Sequence, residues 1–129
     1  MIVVDSRSLR DTPRDASGPG WTSLRLLVRS DGMGFSMTET EVLPGAELEL
    51  HYRHHIEACY CVSGEGHVTD HATGKTHVIT SGVLYAPDAH DRHRVENRGD
   101  VPFRLICVFS PALQGDEVHN ADGSYSASD

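Results

Sequence analysis

The chain has 129 residues, enough for one domain with a hydrophobic core of its own. Eleven Lys and Arg stand against nineteen Asp and Glu, a formal net charge of -8, which removes the electrostatic reason to bind nucleic acid or an anionic membrane. No apolar run approaches the roughly 20 residues of a membrane-spanning helix, residues 1–10 lack the apolar centre of a secretion signal, and three cysteines are an odd count for a disulfide framework. The expectation is a cytoplasmic protein with free thiols and neither a nucleic-acid nor a membrane partner.

Residues 1–4 read as a short edge strand, and residues 5–20, with Pro13, Gly18, Pro19 and Gly20, as loop. Trp21, the single tryptophan, precedes a predicted strand over 23–29, with Leu24, Leu26 and Val28 on one face and Arg25, Leu27 and Arg29 on the other. Asp31-Gly32 signals a turn, and 35–43 alternates as a strand that carries Thr38 and Thr40 on one face. After Pro44-Gly45, the stretch 46–52 sets Leu48 and Leu50 opposite Glu47, Glu49 and His51. Over 56–62, Ile56, Ala58, Tyr60 and Val62 face one way and Glu57, Cys59 and Cys61 the other. Residues 67–70 and 75–80 form a hairpin about Ala72-Thr73-Gly74, and 83–86 and 92–96 are short strands about the turn at 87–90. The last strong strand, 103–109, puts Phe103, Leu105, Cys107 and Phe109 on one face. Residues 114–119 read as an ordered flap and 120–129 as a tail mobile at its end. With no helical periodicity between 20 and 109, eight to ten short strands predict an all-β sandwich or barrel, a single domain over 1–129.

Two spacings carry the chemistry. Gly45-x5-His51-x5-Glu57-x6-Gly64 resembles the first cupin motif, and Gly82-x10-His93-x3-Asn97 the second. The resemblance implies a small jelly-roll barrel that brings Glu57 and His93 together, a setting for a metal ion with open positions. Arg53 stands where cupins usually carry a second histidine, and a guanidinium cannot ligate a metal. Taken alone, Glu57 is either a ligand or half of a buried ion pair, His93 a ligand or a core histidine, Tyr85 a ligand or a core tyrosine, and His51 a ligand or a solvated strand end. Cys59, Cys61 and Cys107 either offer zinc three sulfurs or are small core residues. His54 and His55 are expected at the solvated rim, and His119 either closes over a site or does nothing.

Longer matches resemble the ectoine synthase family of small cupins. They include Trp21-x3-Arg25, Met33-Gly34-Phe35-Ser36, His51-Tyr52, His55-Ile56-Glu57-Ala58, Gly82-x-x-Tyr85-x4-His90-x2-His93, Cys107-Val108-Phe109, Gly115-x-Glu117-x-His119 and Asp122-Gly123-x-Tyr125. The resemblance implies one Fe(2+) on Glu57, Tyr85 and His93, which leaves no need for a histidine at Arg53. It implies substrate contacts at Trp21, Arg25, Thr40, Tyr52, Phe109, Glu117 and His119, with Cys107 lining the same lumen and Thr38, a departure from the family's usual Asn or His, close by. It also implies a homodimer and a lid over 112–129. The implied reaction is that of a carbon–oxygen hydro-lyase: cyclising dehydration of N-γ-acetyl-L-2,4-diaminobutyrate to ectoine, a compatible solute that serves osmoprotection. Glu117 and His119, assisted by Tyr52, are the candidates for proton transfer. Two other readings stand beside it: the same chemistry on a different N-acyl diamino acid, motivated by Thr38 and by lid changes at Ser110, Ala112 and Ser126, and a non-catalytic cupin that binds a small molecule.

Overall fold

The computed structural model describes residues 1–126. Ten strands follow one another: β1 (Asp15–Gly18), β2 (Trp21–Leu27), β3 (Ser36–Val42), β4 (Glu47–Leu50), β5 (Ile56–Ser63), β6 (Glu65–Asp70), β7 (Lys75–Thr80), β8 (Leu84–Tyr85), β9 (His93–Glu96) and β10 (Phe103–Ser110). They make a six-stranded sheet, β1-β2-β3-β10-β5-β8, and a four-stranded sheet, β4-β9-β6-β7, with antiparallel pairs throughout. One core joins them: Val42, Cys61, Phe103 and Leu105 from the first meet Leu50, Val68, Ile79 and Val95 from the second. This is the expected all-β jelly-roll barrel. Among the described residues no helix is long and apolar enough to cross a membrane.

Period-two alternation determines what lines the lumen. On β5, Glu57, Cys59 and Cys61 are buried inward while Ile56, Tyr60 and Val62 are exposed. On β10 the alternation of Phe103, Leu105, Cys107 and Phe109 holds without a break.

The N-terminal expectations need correction. Residues 1–4 form no strand; Met1, Ile2, Val3 and Val4 are exposed. The supposed loop at 5–20 contains a 3-10 turn, Ser6–Leu9, capped by Asp5, and strand β1. Asp15-Ala-Ser-Gly carries no apolar alternation; it is a strand because it pairs with the outer edge of β2. On β2 itself the register shifts between Arg25 and Leu27, so the alternation assumed over 23–29 fails at Leu26.

Asn97 of the second motif is structural. Its side-chain amide donates to the carbonyls of Val42 and Val101 at 2.9 and 2.8 Å, and its own oxygen accepts from the Gly99 N–H. The segment after β10 runs back across the barrel mouth. There the His51 N–H donates to the Gly123 carbonyl at 3.0 Å. Gly123 has φ +81, and a Cβ on it would lie 2.4 Å from the Glu49 carbonyl oxygen, so this close crossing requires glycine. Residues 127–129, the end of the predicted mobile tail, lie outside the described residues.

Candidate active site

Strand register sets the long axis of the site. Arg25 pairs with Thr38, Thr38 with Cys107, Cys107 with Cys59, and Cys59 with Tyr85. Residues directly opposite across a ladder point to the same face, so five strands lay one row across the lumen, from a guanidinium at one end to a phenol at the other. The neighbouring rows add Ser23 and Thr40 on one side, and Phe109 and Glu57 on the other.

Arg25 is 0% exposed. Its Nε donates to Ser23 Oγ and its Nη2 to the Glu117 carbonyl, both at 2.9 Å. Nη1 is buried without a hydrogen-bond partner; Glu117 Oε1 lies 3.6 Å away, ion-pair range but too long for a hydrogen bond. Thr38 Oγ1 is 3.0 Å from Thr40 Oγ1, which donates to Ser23 Oγ at 3.2 Å. The hydroxyls thus form a chain that ends on the arginine. The Glu117 carboxylate accepts from the Gln114 and Gly115 N–H groups at 2.6 and 2.7 Å, which fixes it beside Arg25.

The mouth is aromatic. Tyr52 Oη is 2.8 Å from His119 Nε2. His119 stacks on Tyr125, ring centroids 4.5 Å apart and 9° from parallel, and meets the edge of Trp21 at 4.9 Å. Phe109 packs edge-on against Tyr52. Burial, reinforced by Arg25, pulls His119 down to about 4, so it is neutral near pH 7. Burial likewise pushes the Tyr52 phenol well up.

At the other end, burial raises the Glu57 carboxyl to about 7, against the opposing pull of hydrogen bonds from Cys59 and Cys107. His93 enters from the facing sheet on β9 and is buried. Its Nδ1–H donates to the Asp91 carbonyl at 2.8 Å, which fixes the tautomer and leaves Nε2 as a bare lone pair. That Nε2 is buried and has no hydrogen-bond partner, and burial lowers its proton affinity. Tyr85 meets the His93 ring at 6.4 Å, T-shaped. A buried carboxylate, a half-buried phenol and an unpartnered imidazole nitrogen suit a divalent cation of intermediate hardness. Among the described residues, the His, Cys, Asp or Glu ligand atoms that all lie within 4.8 Å of one another belong to Glu57, Cys59 and Cys107; His93 is not in that cluster.

Trp21, Thr38, Thr40, Tyr52, Glu57, Tyr85, Cys107, Phe109 and His119 all line one lumen that retains about 30 Å3 of free space. Arg25 and Glu117 adjoin it at the Ser23 end. A larger groove of about 570 Å3 lies outside, between the edges of β7 and β8, with Tyr85 and His93 in its wall. The lumen is the better site because the buried polar groups converge there. Cys59 and Cys61 are buried free thiols, as the core reading expected. His54 is exposed, but His55 is not at the solvated rim; it is 1% exposed, between Phe109 and Tyr125. Ser23, His55 and Tyr125 were missed as site residues. The Asp122-Gly123-x-Tyr125 match was the available signal for Tyr125, whereas nothing local marks Ser23.

Comparison with known proteins identifies the family. The family model described as ectoine synthase matches residues 1–129. The L-ectoine synthase of Desulfosudis oleivorans is 50% identical over 125 residues, 97% of this chain and 96% of that protein. The crystal structure of ectoine synthase from P. lautus superposes with a TM-score of 0.83 at 41% identity, over 89% of this chain and 81% of that one. An RmlC-like cupin from Shewanella frigidimarina, 26% identical, covers 76% of this chain and 82% of its own with a TM-score of 0.62. The chain belongs to the ectoine synthase family, a lyase family built on the cupin fold.

Proposed function

We propose that the chain closes the ring of ectoine from N-γ-acetyl-L-2,4-diaminobutyrate with loss of water, using iron(II) held by Glu57, Tyr85 and His93. The observation that carries the reading is the buried Arg25, whose Nη1 has no hydrogen-bond partner and whose Nε donates to Ser23 in the wall of a lumen that holds Glu57 and Tyr85 at its far end. An α-amino acid with an acyl tail has a carboxylate for one end and an acetamide carbonyl for the other.

When bound, the ion supplies Lewis-acid polarisation of that carbonyl. The protein's own residues do the rest. Arg25 clamps the substrate carboxylate with a fork that matches it. Glu117, tied to two backbone N–H groups, holds Arg25 in place and neutralises it before substrate arrives. Trp21 and Phe109 wall the methylene and acetyl parts, and the Thr38–Thr40–Ser23 hydroxyls line the flank. Holding amine and carbonyl in contact removes several kcal/mol of entropic barrier. The amine must be neutral to attack. His119 and Tyr52, 2.8 Å apart at the mouth, form the path that carries its proton towards the departing oxygen. Of the three candidates for proton transfer, Glu117 is the most constrained, because its oxygens already accept two hydrogen bonds.

Tyr52, His119 and Tyr125 pack together across the mouth of the lumen, whose free space is about 30 Å3. Residues 112–126 therefore act as a lid that opens to admit it and closes to exclude water, which favours the ring-opened compound.

The working form is a homodimer in the cytoplasm. Two unpaired sheet edges, β7 and β8, flank the outer groove, and Val78 and Leu84 are exposed beside it. The exposed residues 1–4 of a second copy have the apolar character to cover it. Three free buried thiols fit a reducing compartment.

Incubating iron-loaded protein with N-γ-acetyl-diaminobutyrate and reading the mass spectrum tests the proposal. A product lighter by one water supports it; unchanged substrate under conditions where iron is bound refutes it. Running a panel of N-acyl diamino acids beside it tests the narrower claim, because the short Thr38 side chain sets the flank of the lumen.

A further inference from the structure

We infer that the lumen has a second cation-binding mode, in which a thiophilic divalent ion of the zinc class is held by Glu57, Cys59 and Cys107. Cys59 and Cys107 sit directly opposite each other on β5 and β10. Their sulfurs and a Glu57 oxygen lie within 4.8 Å of one another, and all three residues are buried. A tetrahedral ion with metal–sulfur bonds of about 2.3 Å and metal–oxygen bonds of about 2.0 Å needs its donors roughly 3.5–3.8 Å apart. Donors up to 4.8 Å apart therefore draw together by about 1 Å on binding. Tyr85 pairs with Cys59 across β5 and β8 and stands next in the row.

Softness separates the two modes. Two thiolates favour zinc, cadmium or copper(I) over iron(II), whereas the phenol and imidazole of Tyr85 and His93 favour the harder ion. Binding releases the two thiol protons to solvent and leaves one net negative charge on the ion with its two thiolates and carboxylate. Because Glu57 serves both modes, a zinc-class ion excludes iron. The binding claim stands on the geometry alone; only the competition with iron rests on the cyclase reading.

Cobalt(II) is the probe, because thiolate ligation gives it an intense near-ultraviolet charge-transfer band that oxygen and nitrogen donors do not give. Anaerobic titration of the metal-free full chain is expected to raise that band with one ion per chain. The band persists in His93→Ala, which lacks the imidazole of the harder set, and is lost in both Cys59→Val and Cys59→Ser. Two replacements of different polarity, each checked for normal thermal unfolding, separate ligand loss from misfolding. Zinc displaces the cobalt in the unaltered protein, and its affinity falls about tenfold or more in Cys59→Val while iron(II) binding is retained. No sulfur band in the unaltered protein, or a band unaffected by both Cys59 replacements, overturns the inference. Failure of the cyclisation assay with the cobalt results intact refutes the proposed reaction and leaves this site standing.

Discussion

Arg53 donates to Asp122 across the barrel mouth, Nη2 to Oδ2 at 2.5 Å. The arginine that replaces a cupin histidine thus ties the rim after β4 to the segment that covers the lumen. Both side chains are well exposed, so the pair adds little to global stability. Arg53→Ala is expected to leave the unfolding temperature and iron content nearly unchanged. It should speed hydrogen exchange at the amides of Ser124 and Tyr125, and high salt should mimic it in the unaltered protein. Iron loss in this variant contradicts the latch assignment and makes Arg53 part of the metal site's support.

Removal of any one proposed iron ligand removes the others' purpose. Glu57→Ala, Tyr85→Phe and His93→Ala are each expected to lose stoichiometric iron by elemental analysis and to lose cyclisation together with it. A variant that keeps both takes that residue out of the ligand set.

Arg25 tests the substrate pose. Arg25→Lys keeps a charge beside Glu117 but loses the planar fork. Iron content stays normal while kcat/KM falls about a hundredfold, the scale of roughly 3 kcal/mol for a buried charge-assisted pair. Iron loss, or an unchanged kcat/KM, counts against a carboxylate clamp at this position.

His119 predicts a pH dependence with a definite sign. Its folded-state value, about 4, lies below the ordinary 6.5. Between those values the unfolded chain binds the extra proton, so the contribution is complete above pH 6.5 and is lost as pH falls towards 4. Full expression of the shift amounts to about 3 kcal/mol, less for a ring that is not fully buried. Glu57 acts in the opposite sense: its raised value, about 7, costs stability as pH rises from its ordinary 4.5. The comparison is therefore unaltered protein against His119→Asn in the metal-free form, by chemical denaturation at pH 7 and pH 4.5. The difference between them should shrink or reverse at the lower pH; a difference that does not change with pH refutes a buried neutral imidazole.

Much of the lumen was legible along the chain. Glu57, Cys59 and Cys61 fall on one face because successive side chains in a strand point to opposite sides, and the same alternation lines up Phe103, Leu105, Cys107 and Phe109. Those are short-range facts that neighbours in sequence impose on one another. The failures lie where pairing with a distant segment decides. β1 has a loop composition and is a strand only against β2, residues 1–4 have strand composition and pair with no edge among the described residues, and the register shift at Leu26 breaks a pattern that assumed an unbroken strand. Whether Glu57 sits with His93 or with Cys59 and Cys107, whether His55 meets solvent or Tyr125, and what Arg53 holds all depend on how two sheets and a returning segment pack. The sequence by itself determined the barrel, its inward face and the family; only the tertiary structure decided which inward residues meet, because proximity across a barrel is set by non-local pairing that no local periodicity encodes.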